Sequence, residues 1–170
     1  LLAFLQRDEP AIRQFRIQAE QKPGQIELLW QLSQIDWTYG RRRAARALAH
    51  RATEEAARGG GTTNYDFELA LWESEFVDVR HALDTVAKIP TEGLNKWDRM
   101  RLAMTYARAG ETGKAAEIAD QLAADSPLDT VRQKYAIPVI RAAVRLHEKD
   151  AAAAVEILKP TLPYELSNLV

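Results

Sequence analysis

Apolar residues recur every three or four positions along most of the chain, and glycine or proline interrupts this pattern at intervals. Between residues 97 and 127 the spacing predicts two consecutive helices around the segment 109–113. Gly110 can adopt the left-handed conformation that ends the first helix, and Pro127 stops the second because proline lacks an amide donor. Two helices this short cannot bury both apolar faces alone, so similar pairs are expected beside them.

Three further predicted helix pairs show the same pattern around a turn. The turns are centred on Gly40, Val77 and Lys149, so successive turns are 37, 33 and 39 residues apart. In the central pair, the residues at the spacing of the tetratricopeptide pattern are Leu102, Ala103, Tyr106, Gly110, Ala115, Leu122 and Pro127. The chain therefore resembles a tetratricopeptide repeat (TPR) array, whose repeat is about 34 residues long.

This resemblance implies an all-α fold, a right-handed solenoid of antiparallel helix pairs with about four to five repeats. We expect one domain over residues 1–170, with units at 1–24, 25–60, 61–93, 94–128 and 129–160. The predicted helices outside the central pair are 25–39, 41–58, 66–76, 79–89, 130–146 and 151–158.

Helix ends are predicted from capping and breaking residues. In the opening pair, Pro10 fits the first turn of a helix capped by Asp8 or Glu9. The segment 22–24 breaks the chain after it, and Thr62, Thr63 or Asn64 can cap the helix that comes after three glycines. Pro138 lies inside the predicted helix 130–146, which it should either kink or delay.

Charge and composition exclude several classes of protein. A net charge of −1 argues against an electrostatically driven nucleic-acid or membrane binder. Cysteine is absent, which excludes disulfides and thiolate metal sites. No apolar run approaches the roughly 18–20 residues that a membrane span requires. The chain begins with Leu1 and not with methionine, so we interpret it as a fragment or a processed piece of a longer protein.

No catalytic, metal or cofactor site is predicted. The segment 110–114 ends like a phosphate-binding loop, but Arg108 replaces the first glycine and Ala115 the hydroxyl residue. The three histidines at positions 50, 81 and 147 lie on different predicted helices, without zinc-site spacing. The serines lie in no nucleophile-elbow context. We therefore predict that this chain is not an enzyme.

The first helix of each tetratricopeptide pair lines a concave groove, which is where we predict partner contacts. Trp, Phe and Met are residue types that anchor peptides in such clefts. The predicted groove residues are Trp30, Gln34, Trp37, Phe67, Leu71, Ser74, Trp97, Met100, Met104 and Arg108. The alternative is that Trp30, Phe67 and Trp97 pack between repeats. Trp30 and Gln34 occupy two positions of the Lys/Asn clamp that binds C-terminal carboxylates in some relatives, so that activity is not predicted.

One basic cluster stands out at the predicted start of a helix, where the helix dipole disfavours cations. It consists of Arg41, Arg42, Arg43 and Arg46. The cluster is interpreted either as a solvated helix face or as a contact for an acidic segment of a partner.

Longer segments resemble the C-terminal repeat region of bacterial eukaryotic-type serine/threonine protein kinases and of related transcriptional regulators. They are LAFLQRDEPAI, KPGQIELL, RALAHRATEEA, GETGKAAEIADQLAADSPLDTV and LKPTLPYELS. In that family a kinase or winged-helix domain precedes the repeats, often across a membrane span, and any kinase activity would reside there. Val77 departs from the glycine more usual at that turn.

Two hypotheses about function remain open at this point. The first is a non-catalytic protein–protein interaction module that binds a peptide or protein in the groove, as the regulatory or sensing region of a bacterial signalling protein. The second is a small-molecule-sensing helical domain of a signalling protein or transcription regulator, which a deep pocket lined by Trp30, Trp37 and Phe67 would favour. Exposed terminal repeats would also allow two copies to form a homodimer.

Overall fold

Every regular element that the structure describes is a helix. A computed structural model describes residues 2–22, 24–61, 64–76 and 78–164. The α-helices are α1 (Leu2–Leu5), α2 (Glu9–Gln21), α3 (Ile26–Thr38), α4 (Arg42–Arg58), α5 (Tyr65–Phe76), α6 (Val79–Val86), α7 (Lys96–Ala109), α8 (Thr112–Asp125), α9 (Ile137–His147) and α10 (Ala151–Leu158). A π-helical turn (Arg132–Ala136) precedes α9, and a 3-10 helix (Lys159–Tyr164) comes after α10. The predicted all-α class is confirmed.

The chain forms two compact units, Leu1–Leu69 and Ala70–Val170. In the first unit, α3 packs along α4. One hydrophobic core cluster of this unit consists of Ile12, Ala19, Leu29, Leu32, Ile35 and Ala52. In the second unit, α7 packs along α8, both pack on α9, and α10 packs on α9. One core cluster of the second unit consists of Ala103, Ala119, Leu122, Ile137 and Ile140.

Each of the four predicted inter-helix turns contains a backbone hydrogen bond of the same pattern. In each, the amide of the residue after the turn position donates to the carbonyl of the residue four before that position, as in a Schellman motif. The bonds are Arg41 N to Asp36 O (2.8 Å), Asp78 N to Glu73 O (3.1 Å), Glu111 N to Tyr106 O (2.9 Å) and Asp150 N to Arg145 O (2.9 Å). Gly40, Gly110 and Lys149 have φ of 73°, 88° and 65°. Val77 lies outside the described residues.

Small buried residues recur at fixed offsets from these turns. Seven residues before the turn positions lie Ser33, Ala70, Ala103 and Ala142, and five residues after them lie Ala45, Ala82, Ala115 and Ala154. All eight side chains are buried. In the first unit the residues at the two offsets are in direct contact, since the Ser33 hydroxyl donates a hydrogen bond to the Ala45 carbonyl at 2.8 Å. Small residues at these positions allow the two helices of a pair to approach closely.

Most predicted helix ends are confirmed. Asp8 caps α2, because its carboxylate accepts a hydrogen bond from the amide of Ala11 at 3.0 Å. The carboxamide of Asn64 likewise accepts from the amide of Asp66. The break at Pro23 and the caps at Thr62 and Thr63 lie outside the described residues.

Pro138 does not delay the predicted helix, because residues 130 and 131 are already helical and the helical backbone continues into α9. The segment Arg132–Ala136 is a π-helical turn, and Pro138 comes directly after it, in the first turn of α9. Proline lacks an amide donor and crowds the carbonyl four residues earlier, and a local π turn accommodates this within one helix. None of the described helices combines the length and the apolar character needed to cross a bilayer.

Gly110 should be required at its turn for conformational reasons. We expect Gly110→Ala to lower the free energy of unfolding by about 1–2 kcal/mol, because a Cβ is disfavoured at its left-handed φ of 88°. Gly113→Ala is the matched control, since Gly113 lies in α8 with open space around its Cα. The control should raise stability by about 0.5 kcal/mol. Urea unfolding of both variants tests this, and equal effects would contradict it.

Candidate functional site

The second unit contains a cleft of about 460 Å³ between helices α7 and α9. We call it the α7–α9 cleft. Its lining is mostly apolar and comes from α5, α7, α9 and α10. The lining residues are Ser74, Glu75, Met104, Ala107, Arg108, Val139, Ala142, Ala143, Leu146, His147 and Leu158. The volume lies within the range of about 300–1,000 Å³ that is typical of ligand sites.

Lining residues lie at the same offsets from the inter-helix turns on successive helices. From α5, Ser74 lies three residues before its turn, and from α7, Met104 and Ala107 lie six and three before theirs. From α9, the lining residues Val139, Ala143 and Leu146 lie ten, six and three before Lys149. Residues three and seven apart share one helix face, so each helix presents one stripe to the cleft.

Three polar side chains form one edge of the cleft, and each lies two residues before its turn. They are Glu75, Arg108 and His147. An Nη1 atom of Arg108 lies 3.2 Å from the Glu75 carboxylate and donates to the Leu71 carbonyl at 3.3 Å. The edge therefore contains one carboxylate that is already paired with a guanidinium, and His147 adds an imidazole to the same lining.

The imidazole of His147 is placed by the turn of the neighbouring helix pair. A Cβ atom built on Gly110 would lie 2.5 Å from the Nε2 atom of His147, so the ring occupies the space that the missing side chain leaves. His147 is itself solvent-exposed at the end of α9. The turn that ends α7 thus lies against one residue of the polar edge.

Three of the groove residues predicted from the sequence line the cleft, namely Ser74, Met104 and Arg108. A fourth, Leu71, contributes its carbonyl, which accepts from both the Ser74 hydroxyl and Arg108. At the other end of α7, Trp97 is 41% exposed and Arg132 lies over its ring at 5.5 Å. Met100 packs against the core of the second unit.

The remaining predicted groove residues belong to the first unit, and none lines the α7–α9 cleft. The rings of Trp30 and Tyr65 are 5.3 Å apart, and Gln34 and Trp37 are half-buried. Phe67 is 0% exposed. The absence of accessible surface at Phe67 agrees with the alternative that this ring packs between helices, and its contact with a partner stays a prediction.

The basic cluster surrounds the start of α4. Arg41 is the N-cap residue, lies 3.5 Å from the buried carboxylate of Asp36, and stacks on Tyr39 at 5.0 Å. Arg42 and Arg43 are exposed and Arg46 is half-buried. Arg41 is thus partly structural, which neither interpretation of the cluster from the sequence anticipated.

The α9 side of the cleft was also predictable from the sequence pattern, although no residue of α9 is among the predicted groove residues. The predicted groove positions come from three helix pairs and omit the pair around Lys149. Of the four offsets applied there, three give Val139, Ala143 and Leu146, which line the cleft, and the fourth gives Ala136, which is buried. Leu158 lies beyond the repeating stripe and could not have been found in this way.

The described residues offer no grouping of three or more His, Asp or Glu side chains that could hold a metal ion. The chain was compared with protein-family models, curated proteins and solved structures, and none of them matches it. The function of the chain is therefore inferred from the geometry of the described units and from the sequence pattern.

Proposed function

We propose that this chain is a non-catalytic protein–protein interaction module that binds an extended peptide segment of a partner in the α7–α9 cleft. The observation that carries this proposal is the cleft itself. It combines an accessible apolar lining with a polar edge, as peptide-binding sites with anchor pockets do.

We further propose that the helix pairs belong to a right-handed solenoid of the tetratricopeptide type. Four turns with the same hydrogen bond and eight small buried residues at two fixed offsets support a repeating unit. The apolar lining of the cleft also repeats at fixed offsets, as expected if first helices face a common binding surface. The sequence resemblance favours the regulatory or sensing region of a larger bacterial signalling protein, such as a serine/threonine kinase.

A matched pair of leucines tests the binding site. Leu146 is 56% exposed and lines the cleft, whereas Leu128 is 94% exposed and does not. Phage displaying random 12-residue peptides would be selected on the immobilised wild-type chain. Leu146→Glu should then reduce the retained phage at least about tenfold, because one apolar contact is replaced by a charge. Leu128→Glu should retain the phage, since it replaces a leucine by a glutamate outside the cleft.

Two results would contradict this function. One is the absence of any peptide enriched on the wild type over an unrelated immobilised protein. The other is an equal decrease in retained phage for Leu146→Glu and Leu128→Glu while both variants keep the helical circular dichroism of the wild type. Such a decrease would not depend on the cleft.

The cleft volume also favours the second candidate, a small-molecule-sensing domain. About 460 Å³ is enough for a ligand of ordinary size. The residues that would line such a site are not Trp30, Trp37 and Phe67, as the sequence hypothesis required, but Met104 and its neighbours in the second unit. A metabolite mixture that raises the melting temperature of the wild type but not of Leu146→Glu would favour this candidate.

A further inference from the structure

The polar edge of the α7–α9 cleft contains hydrogen-bond donors that the fold does not use. Both contacts of the Arg108 guanidinium, to Glu75 and to the Leu71 carbonyl, are made by Nη1. Among the described residues, no acceptor is bonded to Nη2 or Nε. The side chain is 28% exposed and lines the cleft, so the guanidinium is not fully covered by the protein. A guanidinium held on one side and open on the other is pre-organised to bind a planar carboxylate.

His147 continues this edge beyond Arg108. Its ring lies against Gly110, and neither ring nitrogen has a hydrogen-bond partner among the described residues. Gly110 lies against the Nε2 side of the ring, so Nδ1 lies on the side away from this contact. A group that enters the cleft beside Arg108 can therefore also accept a hydrogen bond from this imidazole.

The charges at the edge determine which ligand fits. Glu75 is the only carboxylate among the lining residues, and Arg108 already pairs with it. A second carboxylate would meet the open side of the guanidinium and the imidazole, whereas a basic group would meet the positive charge of the guanidinium. The apolar lining formed by Met104, Ala143 and Leu146 adjoins this edge within one cleft.

We propose that the cleft recognises a peptide segment in which a leucine- or methionine-sized side chain neighbours an aspartate or glutamate. The apolar side chain contacts Met104, Ala143 and Leu146, and the carboxylate binds the open side of Arg108 and the imidazole of His147. This inference rests on the proposed function and adds the chemistry of the partner. Arg108 and His147 are the specificity-determining residues.

An oriented peptide library tests the inference. Nine-residue peptides with leucine fixed at the centre and all other positions random are passed over the immobilised full chain. The bound pool is then sequenced position by position. We expect aspartate plus glutamate to be enriched about fivefold at a position next to the leucine, as a charge-assisted hydrogen bond would produce over a neutral one.

Variants assign the preference to the two residues. Arg108→Gln should abolish the acidic enrichment while peptides are still retained through the leucine, and His147→Gln should reduce it. Arg141→Gln is the matched control, since Arg141 pairs with Asp120 on the surface and does not line the cleft. It removes the same charge and should leave the enrichment unchanged. Arg108→Lys keeps the charge and should restore part of the preference.

The outcomes separate this inference from the proposed function. A retained pool without acidic enrichment overturns the inference and leaves peptide binding intact. An acidic enrichment that Arg108→Gln and Arg141→Gln reduce equally also overturns it, because the effect would then reflect overall charge. If no peptide is retained on the folded wild type, the proposed function fails and the inference fails with it.

Discussion

Replacement of Phe67 by alanine should lower the free energy of unfolding by about 3–5 kcal/mol. Phe67 is the largest of the fully buried side chains and has no accessible surface. Its removal forfeits the transfer free energy of the ring and leaves a cavity that the surrounding helices can fill only in part. Urea unfolding monitored by circular dichroism at the helical band measures the loss.

Trp97→Ala is the informative comparison, because the sequence pattern also predicts a groove position for Trp97. It is 41% exposed and contacts Arg132 through a cation–π interaction. We expect the free energy of unfolding to fall by only about 1–2 kcal/mol, which is the sum of the contributions from partial burial of the ring and from the cation–π contact. Equal losses for Phe67→Ala and Trp97→Ala would show that the distinction between a core aromatic and a surface aromatic is wrong.

Replacement of Asp36 by alanine should cost about 2–3 kcal/mol. The carboxylate is 1% exposed and accepts two hydrogen bonds from the guanidinium of Arg16, at 2.8 and 3.0 Å. Removal of one partner of a fully buried pair costs about 3–5 kcal/mol. The Arg16 side chain is 28% exposed, so water can solvate its charge after the substitution, which lowers the expected loss.

Arg41→Ala provides the control, since the same carboxylate contacts Arg41 at 3.5 Å and that side chain is 56% exposed. A pair of this kind contributes about 1 kcal/mol or less. In chemical unfolding experiments, Asp36→Ala should therefore lower the free energy of unfolding much more than Arg41→Ala does. The reverse order would mean that Arg41, and not Arg16, is the main partner of Asp36.

The helices were predictable because their ends depend on nearby residues. Gly110, Pro127 and Asp8 act within one turn of the chain, and the apolar spacing fixes the buried face of each helix. The exposure of one groove position was not predictable in the same way. Ten residues before their turns lie Phe67, Met100 and Val139, yet the first is fully buried, the second packs on the core, and the third lines the cleft.

The reason is that periodicity gives the direction of a side chain and says nothing about what covers it. Which neighbour lies over a position depends on residues far away in the sequence. The pairing of Asp36 with Arg16 is a similar case, since 20 residues separate the partners and Asp36 lies between apolar neighbours on α3. The polar edge of the cleft likewise combines three helices, so Glu75, Arg108 and His147 did not form a recognisable motif in the sequence.

The π-helical turn before α9 has a consequence for the phase of that helix. A π turn accommodates one more residue than an α turn, and one residue corresponds to a rotation of about 100°. The residues on the amino-terminal side of the turn are therefore out of phase with the stripe that begins at Val139. An uninterrupted α-helix over this stretch would place Pro138 in its interior, where proline lacks the amide donor and crowds the carbonyl of the residue four before it. The extra residue of the π turn therefore allows one helix to contain Pro138, and it sets the phase of Arg132, which lies over Trp97, apart from that of Val139 and Leu146 in the cleft.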